Sequence, residues 1–187
     1  MWSYFRKGRE SASFEYNKEW LANPYRFALE PLLPLADGTF HTTPGQSVFG
    51  AIGDSTPDRW GRVLMRRAEL ARARAANESP HTLSELDYLL MVNDEARQGA
   101  LRFSQDGGKS FCTPPGTTPI PPLVNLSRLL HAADHFCRDD ENAEDLRLLL
   151  APGSSLGGAR PKASVKDKSG QLCIAKFPRH DDEYNIV

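Results

Sequence analysis

The sequence of 187 residues has no long apolar run, few cysteines and almost no net charge, and each absence excludes a class of protein. No stretch approaches the ~20 apolar residues of a membrane-spanning helix, and the N-terminus lacks the apolar core of a signal peptide. The three cysteines are an odd number without CxxC spacing, which indicates reduced thiols and not a disulfide framework. The 23 basic and 24 acidic residues give no overall attraction to nucleic acid or an anionic membrane. We therefore expect a soluble, cytoplasmic protein.

What the chain does contain is ordinary globular composition, with 40% hydrophobic and 25% charged residues. A proline-rich stretch over 114–122 holds five of the 14 prolines and predicts an extended connector, because proline fixes φ and cannot donate to a β-ladder. This stretch divides the chain into a front part over 1–110, a connector over 111–122 and a back part over 123–187.

In the front part, apolar alternation predicts a half-buried strand over 11–16. Thr56-Pro57-Asp58 is typical of a helix start, with Thr56 as the N-cap, and the helix is expected to run to about Ala76. A second helix is predicted from a capping box that begins at Thr82, and a further strand over 98–103. The apolar stripe expected on the first helix consists of Trp60, Val63, Leu64, Ala71 and Ala75.

In the back part, apolar residues at helical spacing predict an amphipathic helix over 124–138. A short helix is expected over 141–150, ending at Pro152-Gly153. Two strands, 163–166 and 172–177, are joined by a Lys-Ser-Gly turn and predict a hairpin. Helices and antiparallel strands in this order indicate the α+β class.

The most informative segment for function is 153–162, GSSLGGARPK, which we call the glycine-rich segment. Glycines allow the backbone to approach a ligand closely, and successive N–H groups can surround an anion. Residues 160–179 hold six basic residues and a single acidic one, a local charge suited to a polyphosphate. The GxxxxGK[ST] and GxGxxG spacings are both absent. The alternative is a tight turn beside a solvated basic hairpin.

Lys176 lies on the second predicted strand of the hairpin, shortly after the glycine-rich segment. A lysine in this position is the arrangement by which a protein kinase pairs a strand lysine with the phosphates of ATP. The alternative is an edge-strand lysine that favours solubility. Together, the two features favour nucleotide binding.

With these residues in view, the sequence resembles the HipA toxin kinases. The runs that carry the resemblance are SSLGGARPKA over 154–163, IAKFP over 174–178, FEY over 14–16 with Trp20-Leu21, PDRWGR over 57–62 and QGALRF over 98–103. The family consists of bacterial serine/threonine kinases with a distant phosphatidylinositol-kinase-like fold, which act as toxins of toxin–antitoxin pairs and in persistence. The resemblance implies a small N-terminal subdomain followed by the beginning of a kinase N-lobe.

The resemblance also implies ligands, partners and site residues. Family members use ATP with Mg²⁺, phosphorylate aminoacyl-tRNA synthetases and are held in check by a helix-turn-helix, HipB-like antitoxin, through which DNA is contacted only indirectly. Ser155 matches an autophosphorylated loop serine whose modification expels the loop from the ATP site. The residues that would bind the nucleotide are Ser154, Ser155, Leu156, Gly157, Gly158, Ala159 and Lys176.

Two departures from the family pattern limit the activity we expect. The catalytic-loop aspartate and asparagine and the metal-binding aspartate have no counterpart here, and the leading strand that precedes the tryptophan at position 2 is missing. We therefore expect no catalytic residue and no turnover from this chain alone. The alternatives are a stand-alone binding or regulatory module, such as a split-kinase subunit or antitoxin-like partner, and a non-functional gene fragment that exposes Leu172, Ile174 and Phe177.

Three other clusters of charged or metal-ligating residues give weaker indications of function. An arginine-rich helix could contact nucleic acid, although a solvated face beside the core is the more common arrangement. His131 and His135, with Cys137 nearby, have a spacing that a metal could use, but no second ligand pair accompanies them. The acidic runs over 139–141 and 181–183 are typical of turns and tails. The arginines of the helix are Arg59, Arg62, Arg66, Arg67, Arg72 and Arg74.

Overall fold

A computed structural model describes residues 1–6, 9–113, 120–153 and 157–178. Within these ranges the chain forms six helices, one 3-10 turn and two small antiparallel sheets, which confirms the α+β class. None of the helices in the described ranges has both the length and the apolar character needed to cross a membrane. The elements are β1 (Trp2–Arg6), β2 (Arg9–Phe14), α1 (Lys18–Ala22), β3 (Phe40–His41), α2 (Gly50–Gly53), α3 (Arg59–Ala76), α4 (Glu85–Met91), the 3-10 turn (Leu123–Asn125), α5 (Leu126–Cys137), α6 (Ala143–Gly153), β4 (Lys162–Lys166) and β5 (Leu172–Lys176).

The first sheet has the order β1-β2-β3, with both pairs antiparallel. The strand predicted over 11–16 overlaps β2, and Ala12 is fully buried as the alternation requires. Tyr16 lies beyond the end of β2, where it is buried because its hydroxyl donates to the carbonyl of Leu33 at 2.8 Å. One apolar cluster covers this sheet; its buried members are Ala12, Tyr16, Leu33, Phe49, Ile52 and Leu89.

The larger core joins α3 and α4 to α5, α6 and β4. Trp60 of α3 packs edge-on against Phe136 of α5, with ring centroids 5.0 Å apart, and Leu64 and Leu149 are fully buried in the same cluster. Each such side chain contributes about 1.5–3 kcal/mol of burial free energy. The division into front and back parts stays a prediction, but side chains from both parts share this core. As a result α3 lies directly against α6, which precedes the glycine-rich segment.

Helix α3 ends at Ala76 as predicted, but its start was predicted wrongly. Asp58, and not Thr56, is the N-cap, and its carboxylate accepts the N–H of Arg59 at 2.9 Å. Thr56 belongs to the preceding turn instead, where its N–H and its hydroxyl both donate to the carbonyl of Gly53. The last residue of the predicted apolar stripe was also wrong, because Ala75 is exposed and Ala73 is buried instead.

The second helix begins three residues later than Thr82, which was therefore the wrong cap. The N-cap of α4 is Ser84, whose capping box pairs it with Asp87. Glu85 lies at the same spacing from Thr82, but its carboxylate pairs with Arg62, whereas the carboxylate of Asp87 accepts from Ser84.

The strand predicted over 98–103 is absent from the part of the chain that the structure describes. Gly99 has φ +88°, which breaks an extended run, and no neighbouring strand pairs with this segment. Arg97 organises the region instead, because its guanidinium lies over the ring of Phe103 and donates to three backbone carbonyls. The acceptors are the carbonyls of Ser55, Leu89 and Val92, at 3.0, 2.8 and 3.0 Å.

The back part follows the prediction more closely. Helix α5 and the β4–β5 hairpin are confirmed. Helix α6 ends at Gly153, in agreement with the predicted end at Pro152-Gly153, and it begins two residues later than predicted; it includes Pro152, which is fully buried. The predicted connector is described only outside 114–119. The last residues of the connector, 120–122, pack against the rest of the protein. Ile120 is buried, and the carbonyl of Pro121 accepts the N–H of Lys166 at 2.9 Å, so this segment runs along β4.

Candidate functional site

The described part of the glycine-rich segment links α6 to β4. Gly157, Gly158 and Ala159 are exposed. Gly158 has φ +87°, and a Cβ there would lie 2.9 Å from the Lys162 Nζ, which explains why glycine is required. Ser154, Ser155 and Leu156 lie outside the described residues, and the predicted modification of Ser155 therefore stays a prediction.

Two lysines face each other at the end of the hairpin next to these glycines. Lys162, the first residue of β4, pairs with Lys176, the last residue of β5. Like charges directly opposite each other across a strand pair are destabilising. The pKa of Lys162 is lowered by burial and by the neighbouring Lys176, and its ammonium group donates to the carbonyl of Gly157. The arrangement is a local concentration of positive charge that an anion would stabilise.

The exposed side chains of β5 continue from Lys176 along the strand. Because side chains alternate along a strand, Leu172, Ile174 and Lys176 share one face of β5. Leu172 and Ile174 are 49% and 55% exposed. On the opposite face, Ala163 and Val165 of β4 are buried in the core. The exposed face therefore has a charged end near the glycines and an apolar surface beyond it.

Residues at the start of α3 form hydrogen bonds with Gly158 and Lys162. The N–H of Gly158 donates to the Asp58 Oδ2 at 2.5 Å, across 100 residues of sequence. The Trp60 N–H donates to the carbonyl of Gly158 at 3.0 Å, and the indole Nε1 donates to the carbonyl of Lys162 at 2.9 Å. The pKa of Asp58 is lowered, mainly by the hydrogen bond from Gly158 and then by that from Arg59, so its carboxylate is ionised at neutral pH.

A polar cleft of about 330 Å³ lies on the Asp58 side of Gly157. Its lining contains two carboxylates, Asp54 and Asp58, together with the guanidinium of Arg62. That guanidinium is engaged by Glu85, with N–O distances of 2.6 and 2.7 Å. The two carboxylates disfavour a polyphosphate in this cleft, so the lysine side of the glycines is the better anion site.

The other clusters found in the sequence have structural partners. Arg62 pairs with Glu85, and Arg67 donates to Glu141 at 2.8 Å and to Asp139, which places two acids of the 139–141 run at a helix junction. Arg72 pairs with Glu69 and holds its pKa at about 2. These pairs favour the structural role of the arginine-rich helix.

The histidine pair does not form a metal site in the described residues. His135 contacts Asp145 at 3.0 Å through Nδ1, which raises the pKa of the imidazole. Within the ranges that the structure describes, no group of three His, Cys, Asp or Glu side chains is placed to hold a metal ion. No disulfide joins the three cysteines, Cys112, Cys137 and Cys173.

Sequence reasoning singled out the glycines and Lys176, which stay a prediction, and it missed the contacts of Asp58 and Trp60 with this segment. Local pattern identifies Asp58 only as a residue at a helix start, and nothing in the periodicity of α3 indicates a partner 100 residues away. The run PDRWGR was notable only through the family resemblance. Comparison of the chain with protein-family models, with curated proteins and with solved structures finds no match.

Proposed function

We propose that this chain is the N-terminal portion of a HipA-like serine/threonine kinase and that its hairpin binds the phosphates of ATP. The observation that carries the proposal is the Lys162–Lys176 pair beside Gly157 and Gly158. Two lysines directly opposite each other at the end of a strand pair favour a multiply charged anion over a single carboxylate. The absence of side chains at the exposed Gly157 and Gly158 allows that anion to approach Lys162 and Lys176 closely.

The exposed face of β5 supports a nucleotide over a simple polyphosphate. With phosphates at Lys176, the base would extend along the strand toward Ile174 and Leu172, whose exposed side chains offer an apolar surface. The donor set fits phosphate but not Mg²⁺, because no three metal-ligating side chains converge in the described residues. In this proposal Mg²⁺ is held by the nucleotide and by the catalytic lobe of the family.

The full reaction would transfer the γ-phosphoryl group of ATP to a serine or threonine hydroxyl of a protein such as an aminoacyl-tRNA synthetase. No residue of this sequence matches the family's catalytic loop. Phosphoryl transfer depends on positioning and on charge stabilisation by metal and catalytic groups. The role proposed for these residues is therefore to bind and orient the nucleotide, with turnover only in combination with a catalytic lobe.

Calorimetric titration with ATP–Mg²⁺ tests the proposal. We expect saturable binding that weakens at least about tenfold in Lys176→Ala, since hydrogen bonds to charged groups contribute about 1.5–3 kcal/mol. Lys168→Ala is the matched control, because Lys168 is an exposed lysine in the turn at the other end of the hairpin. Equal losses in the two variants, or no saturable heat from the wild type, would refute the proposal.

A second candidate is a binding or regulatory module that completes a separate kinase lobe. The exposed apolar side chains of Leu172 and Ile174, on a strand paired on one side only in the described residues, favour it. The titration separates the two functions. Binding of ATP that depends on Lys176 supports the nucleotide site, whereas absent ATP binding together with association with a separately expressed HipA-like catalytic lobe supports the module.

A further inference from the structure

Three hydrogen bonds join the first turn of α3 to the segment that follows Gly157. Two of them surround a single residue, Gly158, whose N–H donates to Asp58 and whose carbonyl accepts from the Trp60 N–H. The third reaches Lys162, whose carbonyl accepts the indole N–H of Trp60. Gly153, at the end of α6, lies against the same indole, so Trp60 touches the chain on both sides of the glycines.

From these contacts we infer that Asp58 and Trp60 are positioning residues, which hold Gly158 and Lys162 in the geometry that binds a nucleotide. The inference rests on the proposed function. It adds that the affinity for ATP is set in part by a helix of the front part, through two side chains that do not touch the nucleotide.

The role of Trp60 follows from its burial. The indole is 4% exposed and sits in the core between α3 and α5, so it moves little and presents its N–H at a fixed point. The carbonyl that it holds belongs to the first residue of β4, one of the two paired lysines. Without that bond the start of β4 would keep its sheet partners but lose its fixed distance from α3.

The role of Asp58 differs, because its carboxylate is exposed and carries a negative charge near the anion site. Removal of that charge would, by Coulomb attraction alone, strengthen the binding of a polyphosphate. If Asp58 acts by positioning Gly158, its removal weakens binding instead. The sign of the change in affinity therefore distinguishes a positioning residue from a competing anion.

Asp58→Ser tests the inference, since serine is as good an N-cap as aspartate but its single oxygen cannot hold both Arg59 and Gly158. We expect ATP–Mg²⁺ affinity to fall roughly two- to tenfold, the range of one net hydrogen bond, with a melting temperature close to that of the wild type. Asp37→Ser, an exposed aspartate in a distant turn, is the matched control and should leave affinity unchanged. Trp60→Phe removes the indole N–H that binds the Lys162 carbonyl and should likewise lower the affinity for ATP–Mg²⁺. Trp20→Phe is its control.

Amide hydrogen exchange of the unliganded protein supplies a readout that does not depend on nucleotide. In Asp58→Ser the Gly158 amide should exchange up to about tenfold faster, while amides within the β4–β5 ladder keep their wild-type rates. A fold weakened as a whole would instead accelerate both sets, which would contradict a positioning role.

The titrations separate failure of this inference from failure of the proposed function. ATP binding by the wild type with equal or tighter binding by Asp58→Ser overturns the positioning role and leaves the nucleotide site intact. No ATP binding by the wild type overturns both, and unchanged Gly158 exchange in Asp58→Ser removes the structural premise of the inference by itself. Should Trp60→Phe fail to fold, the exposed position of Asp58 keeps the test decisive.

Discussion

Substitution of Gly153 by alanine tests how tightly α3 packs against the start of the glycine-rich segment. A Cβ at this position would lie 2.8 Å from the Leu64 Cδ1, 3.0 Å from the Trp60 Nε1 and 3.2 Å from the Lys162 carbonyl oxygen. Leu64 is fully buried and the third neighbour is backbone, so none of the three can move without disturbing the core. Overpacking of this kind costs about 1–3 kcal/mol.

The net loss of stability is smaller than the cost of overpacking, because Gly153 is the last residue of α6 and alanine favours a helix over glycine by about 0.5–1 kcal/mol. We therefore expect Gly153→Ala to lower the free energy of unfolding by about 1–2 kcal/mol. For a chain of this size that corresponds to a decrease in melting temperature of about 2–8 °C.

Urea denaturation followed by far-UV circular dichroism, with a thermal melt, measures both quantities. Gly157→Ala is the matched control, because its Cβ would make only ordinary contact, 3.6 Å from the Asp58 Oδ2. Its stability should stay within about 0.5 kcal/mol of the wild type. Equal stability of Gly153→Ala and the wild type would refute the close approach of α6 to Trp60 and Leu64 on which the site geometry depends.

Two further predictions concern charged side chains outside the site. Arg97→Ala should lower the free energy of unfolding by about 2–4 kcal/mol in urea denaturation, because three backbone carbonyls lose their donor; a loss no larger than that of the exposed Arg128→Ala would contradict this. His135 should titrate by NMR above the ordinary value of about 6.5, because Asp145 stabilises its charged form. The stabilisation from this pair is therefore fully present below that value and lost as pH rises through the raised pKa; an unshifted titration, identical in Asp145→Asn, would show that the pair does not form.

Elements defined by local pattern could be predicted from the sequence. The apolar spacing of α5 and the Lys-Ser-Gly turn of the hairpin are sufficient for correct assignment, because each depends on neighbours within about ten residues. Helix starts were less predictable. Both Thr56 and Asp58 are good caps by composition, and the helix starts after Asp58 because Thr56 is held in the turn after α2 by two hydrogen bonds to the Gly53 carbonyl.

The residues of the candidate site also differ in whether they could be predicted from the sequence. Gly157, Gly158 and Lys176 are noticeable in the sequence because of their composition and order. The pairing of Lys162 with Lys176 follows once the hairpin register is known. The contacts of Asp58 could not be predicted, since they exist only because α3 and α6 share a core, and no local property of either helix specifies its partner.

The shared core also determines when α3 can be buried during synthesis. Helix α3 is complete at Ala76, but α6, which covers its apolar face, ends only at Gly153. At translation rates of about 5–20 residues per second, that face waits roughly 4–15 seconds for its partner. The buried members of the cluster around the first sheet all lie between residues 12 and 89, so that cluster is fully synthesised before α6 is made. The nascent chain thus emerges with its sheet cluster ready to fold and with Trp60, Leu64 and Met65 still exposed, a stretch suited to chaperone capture until α6 has been made.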